Sequence, residues 1–199
     1  MRTLFASLIA ITALSSLMAQ YLVSEILMGS PGWNTVLWRM AGYFTVLTNI
    51  LVAATFVAAA LSPGRIAAAW SAGLTLWICA VGVVYHLVLA TLWKPEGLAW
   101  WADQGLHTAV PILVLIWWLT LANKAGLQHR HAFLWLIWPA FYCVYALARG
   151  AVSGFYPYPF IDVANLGIGQ VAVSISGLLL AFFVGGLGQV ALSRKIASV

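Results

Sequence analysis

The sequence predicts an all-α polytopic membrane protein, a single domain spanning residues 1–199 built as a bundle of six transmembrane helices. The first observation is composition. Of 199 residues, 64% are hydrophobic and 7% charged, with a mean hydropathy of +1.00; a soluble domain carries roughly a quarter charged residues. Nine basic and four acidic side chains cannot cover a water-soluble globule of 21.5 kDa. The second observation is where the charges fall. They leave uncharged runs at 3–24, 40–64, 66–93, 104–123, 131–148 and 163–193. A spanning helix needs about 20 apolar residues, whereas a membrane β-strand would read as alternating segments of about ten. Disorder and fibrous repeats are excluded, because no charge block occurs and Gly and Pro show no period.

Span one is placed at about 4–25. Arg2 before an apolar stretch resembles a leader, but the stretch exceeds the roughly 7–15 residues of a signal core and no small-x-small site follows, so a retained helix is expected. Gly29, Ser30, Pro31 and Gly32 then form a connection. Span two runs about 39–61 and stops at Ser62-Pro63-Gly64. Span three runs about 66–92 and ends before Lys94-Pro95-Glu96-Gly97. Spans four and five are placed at about 103–122 and 132–151. Gly154, Pro157 and Pro159 break the fifth loop, and span six covers about 162–192. Cys79 and Cys143 fall inside spans and read as small core residues rather than a disulfide.

Orientation follows the Lys/Arg bias of short loops. Arg2, Arg65, Lys124, Arg130, Arg194 and Lys195 share one side; Arg39, Lys94 and Arg149 take the other. Both termini are therefore expected in the cytoplasm, in a plasma membrane of the bacterial inner type. All four acids, Glu25, Glu96, Asp103 and Asp162, then fall outside. The net charge of +5 reports inner-face cations. No basic stripe with interleaved aromatics exists outside the spans, so no nucleic-acid partner is expected. Clustered tryptophans read as interfacial belts, with Trp100 and Trp101 also candidates to guide a lipid-like substrate.

An uncompensated ionisable group in hydrocarbon costs several kcal/mol, so each one needs a reason. At 1.5 Å per residue, Thr45 lies roughly 9 Å past Arg39, with Asn49 one turn deeper on the same face. His86 lies a similar depth before the end of span three, and His107 roughly 6 Å into span four. Arg149 and Asp162 flank the fifth loop on the same side. Four helices are thus expected to bring polar groups to one depth near the outer face. Each group also has a plain structural reading. Thr45 can bond its own i−4 carbonyl, and Asn49 or His86 can bond another helix. His107 can pair with Asp103 at i−4, Asp162 can cap a helix, and Arg149 can snorkel or pair with Asp162. Templates for serine hydrolases, zinc proteases, phosphate loops and dinucleotide sites are absent. Two histidines without a third ligand argue against zinc; no metal or other cofactor is expected, although His86 and His107 leave a haem reading open. His129 and His131 are read as solvated.

Three stretches carry a resemblance: Tyr43-Phe44-Thr45-Val46-Leu47-Thr48-Asn49, Leu106-His107-Thr108-Ala109-Val110-Pro111 and Tyr158-Pro159-Phe160-Ile161-Asp162. Their order and spacing resemble the androgen-induced-gene family of multi-pass membrane proteins, and the short bacterial members resemble the chain nearly end to end. The resemblance implies an intramembrane threonine hydrolase of lipid esters, similar to enzymes cleaving fatty acid esters of hydroxy fatty acids. It implies Thr45 as nucleophile and His107 as general base. The family's polar residue follows the threonine by three positions, where this chain has Thr48, so Thr48 is a rival to Thr45. Beyond the resemblance, Asp103 is a candidate to orient His107, Asn49 to donate to an oxyanion, and His86 and Arg149 to bind a carboxylate. Tyr158 and Asp162 join them as substrate-binding candidates. The expected partners are a lipid or fatty acid ester substrate and membrane lipids. The competing reading is a non-enzymatic lipid-binding or transport protein whose polar cluster holds a headgroup.

Overall fold

The computed structural model describes residues 1–62 and 66–197, so Pro63, Gly64 and Arg65 of the expected second-loop stop and charge count lie outside the described residues. The described residues are helical, with no strand among them. They comprise α1 (Arg2–Leu27), α2 (Trp33–Met40), α3 (Phe44–Leu61), α4 (Ala68–Val84), α5 (Leu98–Gln104), α6 (Val110–Thr120), α7 (His129–Leu134), α8 (Ile137–Ser153) and α9 (Val163–Ala197). Two π turns, Tyr85–Leu89 and Gly105–Ala109, continue α4 and join α5 to α6. Five helices, Arg2–Leu27, Phe44–Leu61, Ala68–Leu89, His129–Ser153 and Val163–Ile196, are long and apolar enough to cross a membrane. The fourth expected span is outside this set because Asp103, Gln104 and His107 dilute its apolarity. Outward positions such as Ile11, Ile26, Leu87, Val144 and Leu180 are exposed, the reverse of a water-soluble domain.

The chain divides into two compact units, Met1–Lys124 and Ala125–Val199. In the first unit α1 packs on α3 and α5, and α4 packs on α6 and α3. Ala6, Ala10 and Ala13 of α1 are buried at near-helical spacing. Small residues on one stripe let membrane helices approach closely. Ile9, Val52, Phe56, Leu74, Ile78 and Trp118 fill the core, and Phe56 meets Trp117 edge-on at 5.0 Å. At the end of this unit Lys124 Nζ donates to Ala122 O at 3.2 Å, and burial lowers the pKa of its ammonium.

Two boundaries differ from expectation for physical reasons. Between the connection at Gly29–Gly32 and the expected start of span two lies most of a short helix, α2, and Arg39 sits in its last turn. The chain then turns before α3 begins at Phe44, so Thr45 lies in the first turn of its own helix and the depth counted from Arg39 does not apply. The expected turn formers behave as such: Gly29, Ser30 and Gly32 all adopt positive φ.

In the second unit α7 and α8 pack on α9. Span five is interrupted at Trp135–Leu136, between α7 and α8. His131 accepts from Gln128 N at 2.9 Å, an exposed bond, in a capping box at the start of α7. Gly154 ends α8 in the left-handed conformation, and Pro159–Ile161 forms a single 3-10 turn. Gly167 breaks α9 near its start with φ 75.

Candidate functional site

The site of the first unit is built on the two π turns. The second has a visible local cause. Pro111 has no N–H to give the carbonyl of His107 four residues back, and a proline ring crowds that position. The chain widens before it, and Val110 N–H bonds Gly105 O instead. The first π turn ends its helix, where i→i+5 closure is common, and Ala90 N–H bonds Tyr85 O at 2.8 Å. Each wide turn places an extra residue in the helix and re-aims its neighbours, as π turns at functional sites do. His86 and His107 are the second and third residues of these turns.

Two glycines permit the packing. A Cβ on Gly105 would stand 2.0 Å from Ser16 Oγ, so only glycine lets α1 seat against the second turn. A Cβ on Gly82 would meet His107 O at 3.0 Å.

Asp103 is the hub, with its side chain 3% exposed. Its Oδ1 lies 3.3 Å from His107 Nδ1, which also lies 3.0 Å from the Asp103 carbonyl. Its Oδ2 accepts from the Tyr85 hydroxyl and, at 3.5 Å, from Gln104 Nε2. The Tyr85 ring stacks on His107 at 4.0 Å and meets His86 edge-on at 5.0 Å. Thr108 Oγ1 donates to Gln104 Oε1 at 2.9 Å and lies 3.0 Å from His86 Nε2. Two imidazoles thus trace back to one carboxylate, His107 directly and His86 through Thr108 and Gln104.

Both histidines and Thr108 line a groove of about 420 Å³. Its remaining wall is mainly apolar, with Val83, Leu87, Ile112 and Leu115. Pockets of this size and lining suit a small apolar ligand held by a few polar groups. Cys79, a free thiol, lies at its edge.

The expected residues of α3 sit beside this network rather than in the groove lining. Thr45, Thr48 and Asn49 are buried. Asn49 Nδ2 donates to Thr45 O at 2.9 Å and to Leu106 O at 3.3 Å. Its amide hydrogens therefore clasp α3 to the second π turn and are not offered to an oxyanion. Among the described residues, the hydrogen bonds of His107 go to Asp103, and Thr45 is not one of its partners. The expected Asp103–His107 pair is formed.

The candidate residues of the second unit make contacts to neighbours in their own unit. Arg149 is buried and donates to Tyr145 OH at 2.8 Å, one turn away. Asp162 caps α9, accepting from Asn165 N at 3.2 Å and Asn165 Nδ2 at 2.6 Å. Tyr158 is buried, stacked on Phe160 at 5.2 Å and edge-on to Tyr142.

Tyr85, Gln104 and Thr108 were not among the sequence candidates. Thr108 stood within the His-Thr pair and Tyr85 beside His86, but their importance depends on the π turns. Among the described residues, no group of three or more His, Cys, Asp or Glu is placed to hold a metal ion. No family model, curated protein or solved structure gives a match to this chain.

Proposed function

We propose that the chain is an integral membrane hydrolase of lipid esters, acting at the groove of the first unit. The observation that carries this reading is the buried Asp103 carboxylate holding His107 by Nδ1 at the wall of an apolar groove. A neutral imidazole pinned in that way keeps its proton on Nδ1 and presents Nε2 as a base. A threonine hydroxyl is a weak nucleophile and needs such a base. Its Oγ would add to the ester carbonyl carbon as Nε2 takes the hydroxyl proton. Collapse breaks the bond to the alcohol oxygen, which leaves with that proton, and water then releases the acid from the acyl-enzyme by the same route. Thr45 enters as nucleophile by resemblance, with Thr48 as its rival. Thr108 enters by position, since it is the threonine in the groove lining.

The same reading takes Leu98–Thr120 as a sixth crossing, since its helical turns run unbroken through the π turn for about 34 Å. The Lys/Arg bias then supports both termini on the cytoplasmic side, with a bacterial inner membrane as the proposed location. A second reading, a lipid-binding or transport protein without turnover, is favoured by the commitment of the Asn49 amide to backbone carbonyls.

Ester hydrolysis by detergent-purified protein tests the proposal, using long-chain esters that include fatty acid esters of hydroxy fatty acids. Turnover abolished in His107→Ala and in one of Thr45→Ala, Thr48→Ala or Thr108→Ala identifies the base and the nucleophile. No turnover on any ester by folded wild type leaves the lipid binder.

A further inference from the structure

The short helix α2 divides into two sides along its length. Trp33, Val36, Leu37 and Met40 recur at i, i+3, i+4 and i+7 and share one side, while Asn34, Thr35, Trp38 and Arg39 share the other. Val36 and Met40 are buried with Val46, against Leu17 and Tyr21 of α1 and against Tyr43. The rest of the apolar side has little protein cover: Trp33 is 69% exposed and Leu37 47%. Asn34, Thr35 and Arg39 are exposed on the opposite side. Eight residues span about 12 Å, far short of the roughly 30 Å of a hydrocarbon core. Positive φ at Gly29, Ser30 and Gly32 bends the chain into α2, and a turn at Ala41–Gly42 bends it out. On α5, Trp100 and Trp101 are exposed about one turn before Gly105, which seats on Ser16 of α1, next to Leu17. The two short helices thus meet α1 over adjoining residues.

We propose that α2 lies in the plane of the bilayer surface, with a phospholipid leaflet as its partner. Trp33 and Leu37 enter the acyl boundary beside the protein, and Asn34 and Thr35 face water. Trp38 and Arg39 sit among the headgroups, where the guanidinium meets phosphate. Neither bulk phase suits both sides of the helix. Water leaves Trp33 and Leu37 unburied, and hydrocarbon takes in the Asn34 amide and the Arg39 charge. The same placement sets the height of the bilayer on the first unit: Asp103, two residues before Gly105, lies at the edge of the hydrocarbon. The inference rests on the chain being an integral membrane protein and is independent of ester hydrolysis.

The test uses the full chain in vesicles of equal parts phosphatidylcholine and phosphatidylglycerol. Cys79→Ser and Cys143→Ser remove the native thiols. Single cysteines from Trp33→Cys, Asn34→Cys, Thr35→Cys and Leu37→Cys then carry a nitroxide. Collision with oxygen reports hydrocarbon, and collision with a water-soluble nickel chelate reports water. Ile11→Cys, at an exposed site within α1, is the reference for a spanning helix. The oxygen-to-nickel ratio is expected to be several-fold higher at the Trp33 and Leu37 sites than at Asn34 and Thr35, and highest at Ile11. Arg39→Glu is expected to lower the ratio at the Leu37 site, and Arg39→Lys to leave it as in wild type. With oxygen dominant at Ile11, nickel dominance at all four α2 sites overturns the proposal by putting the helix in water. Oxygen dominance at all four overturns it by putting the helix in hydrocarbon, and poor access of both agents overturns it by showing another protein on this face. An unchanged ratio in Arg39→Glu overturns the phosphate contact. Nickel dominance at Ile11 sinks the membrane reading and this inference with it.

Discussion

Asp103 in the first unit and Asp162 in the second are both acids flanked by long apolar runs, and sequence gives each a local structural reading and a site reading. They end in different chemistry. Asp162 caps its own helix through Asn165, a bond that many helix starts make. Asp103 is buried away from any helix start and joins Tyr85, Gln104 and His107 across two segments. The histidines follow the same rule. His131 closes a capping box on the turn it begins, whereas His107 stacks on a tyrosine from another segment. What separates the two regions is backbone. At Asp162 and His131 the polar side chain is satisfied within one turn of a regular helix. The π turns re-aim theirs across the gap between helices, where a network can form.

The largest effect expected is at Asp103. Asp103→Ala removes the hub of a buried network and should destabilise the protein by about 3–5 kcal/mol in detergent unfolding. Asp103→Asn keeps the shape but frees the His107 tautomer. If the chain is a hydrolase, ester turnover should fall on the order of 10³- to 10⁴-fold. Should Asp103→Asn and Asp162→Asn behave alike in both assays, the contrast between the regions is broken.

Tyr85→Phe sharpens it. The ring stack on His107 is retained and only the hydroxyl donated to Asp103 is lost. A hydrogen bond to a charged group is worth about 1.5–3 kcal/mol, so the unfolding midpoint should fall by that equivalent. The His107 ring ¹⁵N signals should move while those of His131 stay in place.

The seating of α1 on the second π turn comes next. Gly105→Ala forces a methyl into Ser16 and should cost about 1–3 kcal/mol. Ser16→Gly in the same chain should recover most of it. A double-mutant cycle in thermal unfolding measures the coupling, and a coupling near zero would show that the close approach is unimportant.

Legibility in the sequence divides along the same line. The apolar runs announced an all-α chain and most of its long helices, because burial in lipid demands length and apolarity alone. Asp103–His107 was legible because i, i+4 neighbours meet on any helix. Asn49 was expected to donate to an oxyanion, whereas its amide donates to the Thr45 and Leu106 carbonyls. Its role depends on the Leu106 carbonyl of another segment, which no spacing along α3 reveals. Thr108 and Gln104 were passed over because a regular helix gives no reason to connect them to His86. Pro111, four residues past His107, was the one local hint that the helix widens there. The Arg39-based depth failed because Ala41 and Gly42 turn the chain between α2 and α3, and neither residue interrupts the hydropathy enough to show it.

The smallest effect is the most discriminating. Asp162 ends the Tyr-Pro-Phe-Ile-Asp stretch and was a substrate candidate, yet its oxygens hold the first turn of α9. Asp162→Ala should cost about 1 kcal/mol, the ordinary value of an N-cap, and Asp162→Asn almost nothing, since asparagine caps as well as aspartate. Thermal unfolding in detergent checks both. Lipid-induced shifts of His86 and His107 should be unchanged in Asp162→Asn, because the cap needs an oxygen acceptor and not a charge. Loss of those shifts in a variant of wild-type stability would mean that Asp162 serves the ligand through its charge. The second region would then have to be read as part of the site.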